Sequence, residues 1–94
     1  MSANDFQDLT SMLELCYGDV DEEEGFQELQ DQLEVYPQRV EPFLQQLSLL
    51  NQRNDGRLAQ ELLEEYAHFS ATPEESLDWF RSLQADLEKA GVGS

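Results

Sequence analysis

The chain of 94 residues carries 21 acidic and 5 basic side chains, a net charge of -16, and is long enough for one domain with a single core, so any function sits on its surface. An apolar share of 39%, including five Phe, three Tyr and one Trp, argues against a disordered acidic tail, which lacks the side chains to bury. The charge argues against direct DNA or RNA binding, whose affinity comes mostly from Lys and Arg neutralising phosphates, and against anionic membranes.

Apolar residues recur at three- and four-residue spacing almost everywhere and no stretch alternates with period two. The expectation is an all-α fold: one domain over residues 1–94, a compact bundle of about five short helices, with 1–3 and 91–94 as loose ends. The first helix starts at about Asn4, its cap, and carries Phe6, Leu9, Met12, Leu13 and Cys16 on one face before stopping at Gly18. Cys16 lies inside that stripe and reads as a small buried hydrophobe.

The second helix begins near Asp21, carries Phe26, Leu29 and Leu33 on its inner face and ends before Pro37. At 100° per residue, Glu24, Glu28 and Asp31 fall almost opposite that stripe, with Glu23 and Glu34 on its flank. Glu22, Glu23 and Glu24 sit in the first turn, where the helix dipole favours negative charge. The third helix holds Val40, Phe43, Leu44, Leu47 and Leu50; Pro42 places its firm start at Glu41 and Pro42, with residues 37–40 as a bend or irregular first turn. Residues 51–56 read as a polar connector. The fourth helix, capped by Asp55, presents Leu58, Ala59, Leu62, Leu63 and Tyr66. The fifth opens on TPEE at 72–75, with Thr72 as cap, Pro73 in the first position and Glu75 closing a capping box; it carries Leu77, Phe80, Leu83 and Leu87 and stops near Gly91.

Little in the sequence points to catalysis, and no enzyme is expected. His68 is the single histidine and Cys16 the single cysteine, so triads and zinc sites lack their ingredients, and the glycines occur singly instead of in a phosphate-cradling loop. The stretch GDVDEEEG, residues 18–25, superficially resembles a calcium loop, but Glu24 stands where the turning glycine belongs and Gln30 where the bidentate glutamate should be. No metal or other cofactor is expected. One cysteine cannot form an internal disulfide, no basic-then-apolar leader opens the chain, and the longest apolar run found is Leu15, Cys16 and Tyr17, so a cytoplasmic protein is expected.

The acid is unevenly spread. Residues 1–38 hold eleven carboxylates and no Lys or Arg, whereas the other ten share residues 39–94 with all five basic side chains. Like charges spaced three and four apart on a helix cost roughly 0.2–0.5 kcal/mol per pair, where interleaved Lys would gain as much. A face tuned for stability mixes signs, so this one is expected to meet a basic partner. The residues singled out are Asp19, Asp21, Glu23, Glu24, Glu28 and Asp31, with Tyr17 and Trp79 as anchors. Trp79 has a second reading, locking the fifth helix onto the bundle while its indole N–H reaches an acceptor at the rim.

The stretch LEVYPQRVEPFLQQLSLLNQRNDGRLAQELLEEYAHFSATPEESLDWFRSLQADLEK, residues 33–89, resembles the small contact-dependent growth inhibition immunity proteins. Shared features extend over almost the whole chain: Leu13 to Tyr17 followed by Asp19, Pro37 after an acidic helix, Leu44, Leu47 and Leu50, the Leu62 and Leu63 pair, and Ser76 with Trp79, although Phe80 stands where the family has leucine. The resemblance implies a cytoplasmic helical protein that binds a cognate toxin domain and blocks its active site or substrate surface. Many such toxins are nucleases with basic clefts. Two other readings stand beside it: a nucleic-acid mimic that inactivates a host nuclease or restriction complex, and an adaptor or secretion chaperone that buries a partner helix in an apolar groove.

Overall fold

Four of the five helices begin where a side chain takes up a free N–H group; the third, which continues a 3-10 turn, has no such cap. The computed structural model describes residues 6–18 and 20–92, and among these the fold is all-α: α1 Gln7–Tyr17, α2 Glu22–Val35, α3 Val40–Arg53, α4 Gly56–Leu62 and α5 Pro73–Lys89. Asp21 accepts the Glu24 N–H at 2.9 Å, Asp55 accepts the Leu58 N–H at 3.2 Å, and Thr72 and Glu75 form a full capping box. These three starts match the sequence expectation. The start of α1 is made differently. Asn4 lies outside the described residues, and the α1 N-terminus is held from α3, where Gln46 accepts the Leu9 N–H at 2.9 Å and donates to Asp8 at 2.7 Å.

A 3-10 turn, Pro37–Arg39, leads directly into α3. Pro42 is the third residue of that helix, where its missing N–H is one that no helix satisfies internally. Residues 51–56 are not a connector: α3 runs on to Arg53, and only Asn54 and Asp55 separate it from α4. The polar residues mislead here because two of them coat the solvent side of α3, while Asn51 turns inward and donates to Gln84 Oε1 at 2.6 Å and to the Phe80 carbonyl at 3.3 Å. Asn54 closes α3 in the left-handed region, at φ 55°, a conformation Asn tolerates better than most residues.

After α4 the chain widens into a π-helical turn, Leu63–Ala67, which the three- and four-residue spacing did not foretell. His68 ends it at φ 59°, and the Phe69 N–H bonds back to the Leu63 carbonyl at 3.1 Å. The end of α5 is also tighter than expected. Gly91, at φ 81°, and Val92 donate to the carbonyls of Glu88 and Leu87 at 3.1 and 3.0 Å, a Schellman motif, and Val92 packs against the core. Residues 91 and 92, expected to be loose, are therefore held in place, while residues 1–3, 93 and 94 lie outside the described residues.

Helix α1 packs against α2, α3 and the π turn, and α5 packs against α3 and α4. One core results. Leu9 and Leu13, Leu29 and Leu33, Phe43 and Leu47, and Phe80 and Leu87 meet within it. The radius of gyration, 12.0 Å, is close to the roughly 12 Å expected of a single body of this size.

Candidate functional site

Tyr17 ends α1 with its side chain buried, and its ring lies against the backbone of Gly25, the fourth residue of α2. No side chain intervenes. The first turn of α2, with Glu22, Glu23 and Glu24, is thereby drawn up to the end of α1. The same ring meets Trp79 of α5 edge-to-face at 5.3 Å and Phe69 at 5.9 Å, and Trp79 in turn packs edge-to-face against Phe69 at 5.7 Å and Phe80 at 5.0 Å. This aromatic cluster ties the start of α2 to the middle of α5.

Between those two helices lies a cleft of about 340 Å³, lined by Tyr17, Glu22, Glu23 and Phe26 on one side and by Trp79, Ser82, Leu83 and Asp86 on the other. Helical spacing puts each set on one face: Glu22 and Phe26 are four apart, and Trp79, Leu83 and Asp86 follow at four and three. The floor is aromatic and aliphatic. The rim is acidic, since Glu22, Glu23 and Asp86 are all exposed.

Two negative side chains from different helices act on the same phenol. Burial raises the Tyr17 hydroxyl well above its ordinary pKa, and the neighbouring Cys16 thiol and the Glu22 and Asp86 carboxylates add to that rise. Cys16, 2% exposed, is pushed up to about 12 by burial and then by Glu28, so it is a protonated core thiol at neutral pH rather than a nucleophile.

Of the residues singled out from sequence, Tyr17, Glu23 and Trp79 come together at this cleft. Asp21 is the cap of α2, and Glu24, Glu28 and Asp31 lie exposed on the helix outside the cleft, where Gln32 donates to Glu28 at 3.2 Å and Gln27 to Asp31 at 3.3 Å. Asp19 lies outside the described residues. Trp79 Nε1 does not reach the acceptor expected at the rim: it is buried without a partner among the described residues. Glu22, Phe26 and Asp86 were not anticipated as site residues. Their helical spacing was visible, but the apposition of α2 and α5 that joins them is tertiary.

A larger and shallower groove of about 680 Å³ runs along α3, lined in part by Val40, Leu44, Leu49 and Gln84, with Glu41 its one carboxylate. It is bigger than the acidic cleft, but no charged groups converge on it. Among the described residues no cluster of three or more His, Cys, Asp and Glu side chains is arranged to hold a metal ion, and no helix is long and apolar enough to cross a membrane. No protein-family profile, curated protein or solved structure matches this chain.

Proposed function

We propose that this protein is an inhibitory binding protein of the immunity type, which neutralises a cognate toxin domain, a nuclease with a basic cleft, by covering it with the acidic surface of α2. The observation that carries this reading is the helix itself. Asp21, Glu22, Glu23, Glu24, Glu28, Asp31 and Glu34 are all exposed along α2 and its cap, with no Lys or Arg on the helix to balance them. Arg39, the first basic residue, is engaged elsewhere, with its guanidinium 5.3 Å from the Tyr36 ring centre. Such a field speeds the approach of a positive partner, while a few buried anchors set the lifetime of the complex. The protein acts by occupying a surface, without a reaction of its own.

The test is affinity capture from native cell lysate at low and high salt, with bound proteins identified by mass spectrometry. One basic toxin domain whose association slows as salt rises is the expected result. Many DNA-binding proteins, displaced by DNA, would replace this reading with nucleic-acid mimicry. The α3 groove with its exposed Leu49 favours a second reading, an adaptor for an apolar partner helix, and salt-insensitive capture of a neutral protein would select it.

A further inference from the structure

We infer that the cleft between the first turn of α2 and the middle of α5 is an arginine-receiving subsite, taking one arginine side chain from a basic protein partner between Phe26 and Trp79 and under the carboxylates of Glu22, Glu23 and Asp86. This rests on the inhibitory-binding reading and assigns its anchoring point.

The shape and the charge agree. A volume of about 340 Å³ is at the small end of ligand pockets, which run from about 300 to 1,000 Å³, and suits a single side chain better than a helix. Its walls are Phe26, Trp79 and Leu83, surfaces that a guanidinium plane and its three-carbon stem can lie against. Its rim presents carboxylates from both sides, Glu22 and Glu23 from α2 and Asp86 from α5. A planar fork of five N–H donors can bridge them; the point charge of a lysine ammonium cannot do so while also stacking. The start of α2 carries the positive end of a helix dipole, about half an elementary charge, which three carboxylates outweigh.

Trp79 adds an independent feature. Its Nε1 is a buried donor with no acceptor among the described residues, and buried donors are rarely left so. An arginine embedded in a polypeptide brings backbone carbonyls that can meet such a donor when the wall adjusts on binding. A metal ion brings none.

Trp79 is the only tryptophan in the chain, so its fluorescence reports directly on this cleft. The full chain is titrated with a blocked Gly-Arg-Gly peptide, acetylated and amidated, and with its lysine and citrulline counterparts and free L-arginine. The arginine peptide is expected to shift Trp79 emission saturably, lysine to bind more weakly and citrulline not at all. Free L-arginine, whose own carboxylate meets the acidic rim, should bind less well than the blocked peptide. Asp86→Asn should weaken the arginine peptide roughly fivefold, the upper range for one exposed charge pair, and Glu88→Gln, which removes an equal charge from the same helix outside the cleft, should leave it unchanged.

Equal responses to arginine and citrulline, or equal losses in Asp86→Asn and Glu88→Gln, would overturn the subsite. Tighter binding of free L-arginine would overturn the protein partner in favour of the amino acid. If Asp86→Asn and Glu22→Gln still capture the toxin at undiminished lifetime, the subsite falls while the inhibitory reading stands. If the native chain captures no toxin, that reading falls and the peptide titration still judges the cleft.

Discussion

The ring of Tyr17 rests on the bare backbone of Gly25: a Cβ at position 25 would stand 2.8 Å from the ring Cγ and nearer still to Cδ1 and Cε1. Gly25 is therefore a seat, and the last letter of GDVDEEEG marks a contact instead of a helix stop. Gly25→Ala should destabilise the fold. Overpacking of this kind costs about 1–3 kcal/mol, and the roughly 1 kcal/mol by which Ala exceeds Gly inside a helix offsets only part of it. Urea denaturation should show a lower midpoint at unchanged slope, with altered Trp79 emission as the ring moves. A midpoint at or above the native value would mean that the ring is not confined.

The alkaline limit of stability should depend on the buried pair at the end of α1. Cys16 moves from an ordinary 9.0 to about 12 on folding, and Tyr17 is raised as well. Both are held protonated by the fold, so between the two values the unfolded chain binds fewer protons. Stability from this source is complete below about pH 9 and falls as pH rises toward 12, by at most about 1.4 kcal/mol per pH unit for each group. Urea midpoints from pH 8 to 11 should fall with a slope that Cys16→Ala flattens. An identical slope in that variant would remove the thiol from the account.

Neutralising the outer face of α2 should make the protein more stable while weakening the proposed function. In Glu28→Gln, Asp31→Asn, the like-charge pairs at 24 and 28 and at 28 and 31 disappear, each worth roughly 0.2–0.5 kcal/mol, while Glu24 keeps its favourable place in the first turn of the helix. A higher melting temperature with slower capture of a basic partner is the expected combination. A lower melting temperature would show that the hydrogen bonds from Gln27 and Gln32 outweigh the repulsion.

Removing the α5 cap should be costly from outside the core. Thr72→Ala loses the hydroxyl that accepts the Glu75 N–H at 3.1 Å, a change worth about 1 kcal/mol, measurable by urea denaturation. Glu75 is held below the ordinary carboxylate range by its hydrogen bonds from the Thr72 backbone and then its side chain. Its contribution is therefore present above the unfolded value and lost as pH falls through the folded one. Glu75→Gln should blunt the acid-side decline in melting temperature, and an unchanged profile would count against the box.

Local chemistry was the legible part of the sequence. Asp21, Asp55, Thr72 and Glu75 act within three residues of themselves, so the starts of α2, α4 and α5 could be read directly. The start of α1 could not, because Gln46 supplies its cap from 37 residues away. Asn51 looked like loop material for the same reason: its partners, Phe80 and Gln84, are on another helix. The site divides in the same way. Tyr17, Glu23 and Trp79 were picked out one by one, but that α2 and α5 face each other across them, with Asp86 completing the rim, follows from the seating of Tyr17 on Gly25 and of Trp79 on Tyr17.

The two-residue link of Asn54 and Asp55 between α3 and α4, clasped where Arg81 donates to Asn54 at 2.5 Å, bears on speed. Helical chains with short links close small loops and reach the native state in microseconds to milliseconds. Synthesis of these 94 residues takes roughly 5–20 s at ribosomal rates. Translation therefore sets the delay before a new copy can act, and under the proposed inhibitory role a cell would gain protection as fast as it can make the chain.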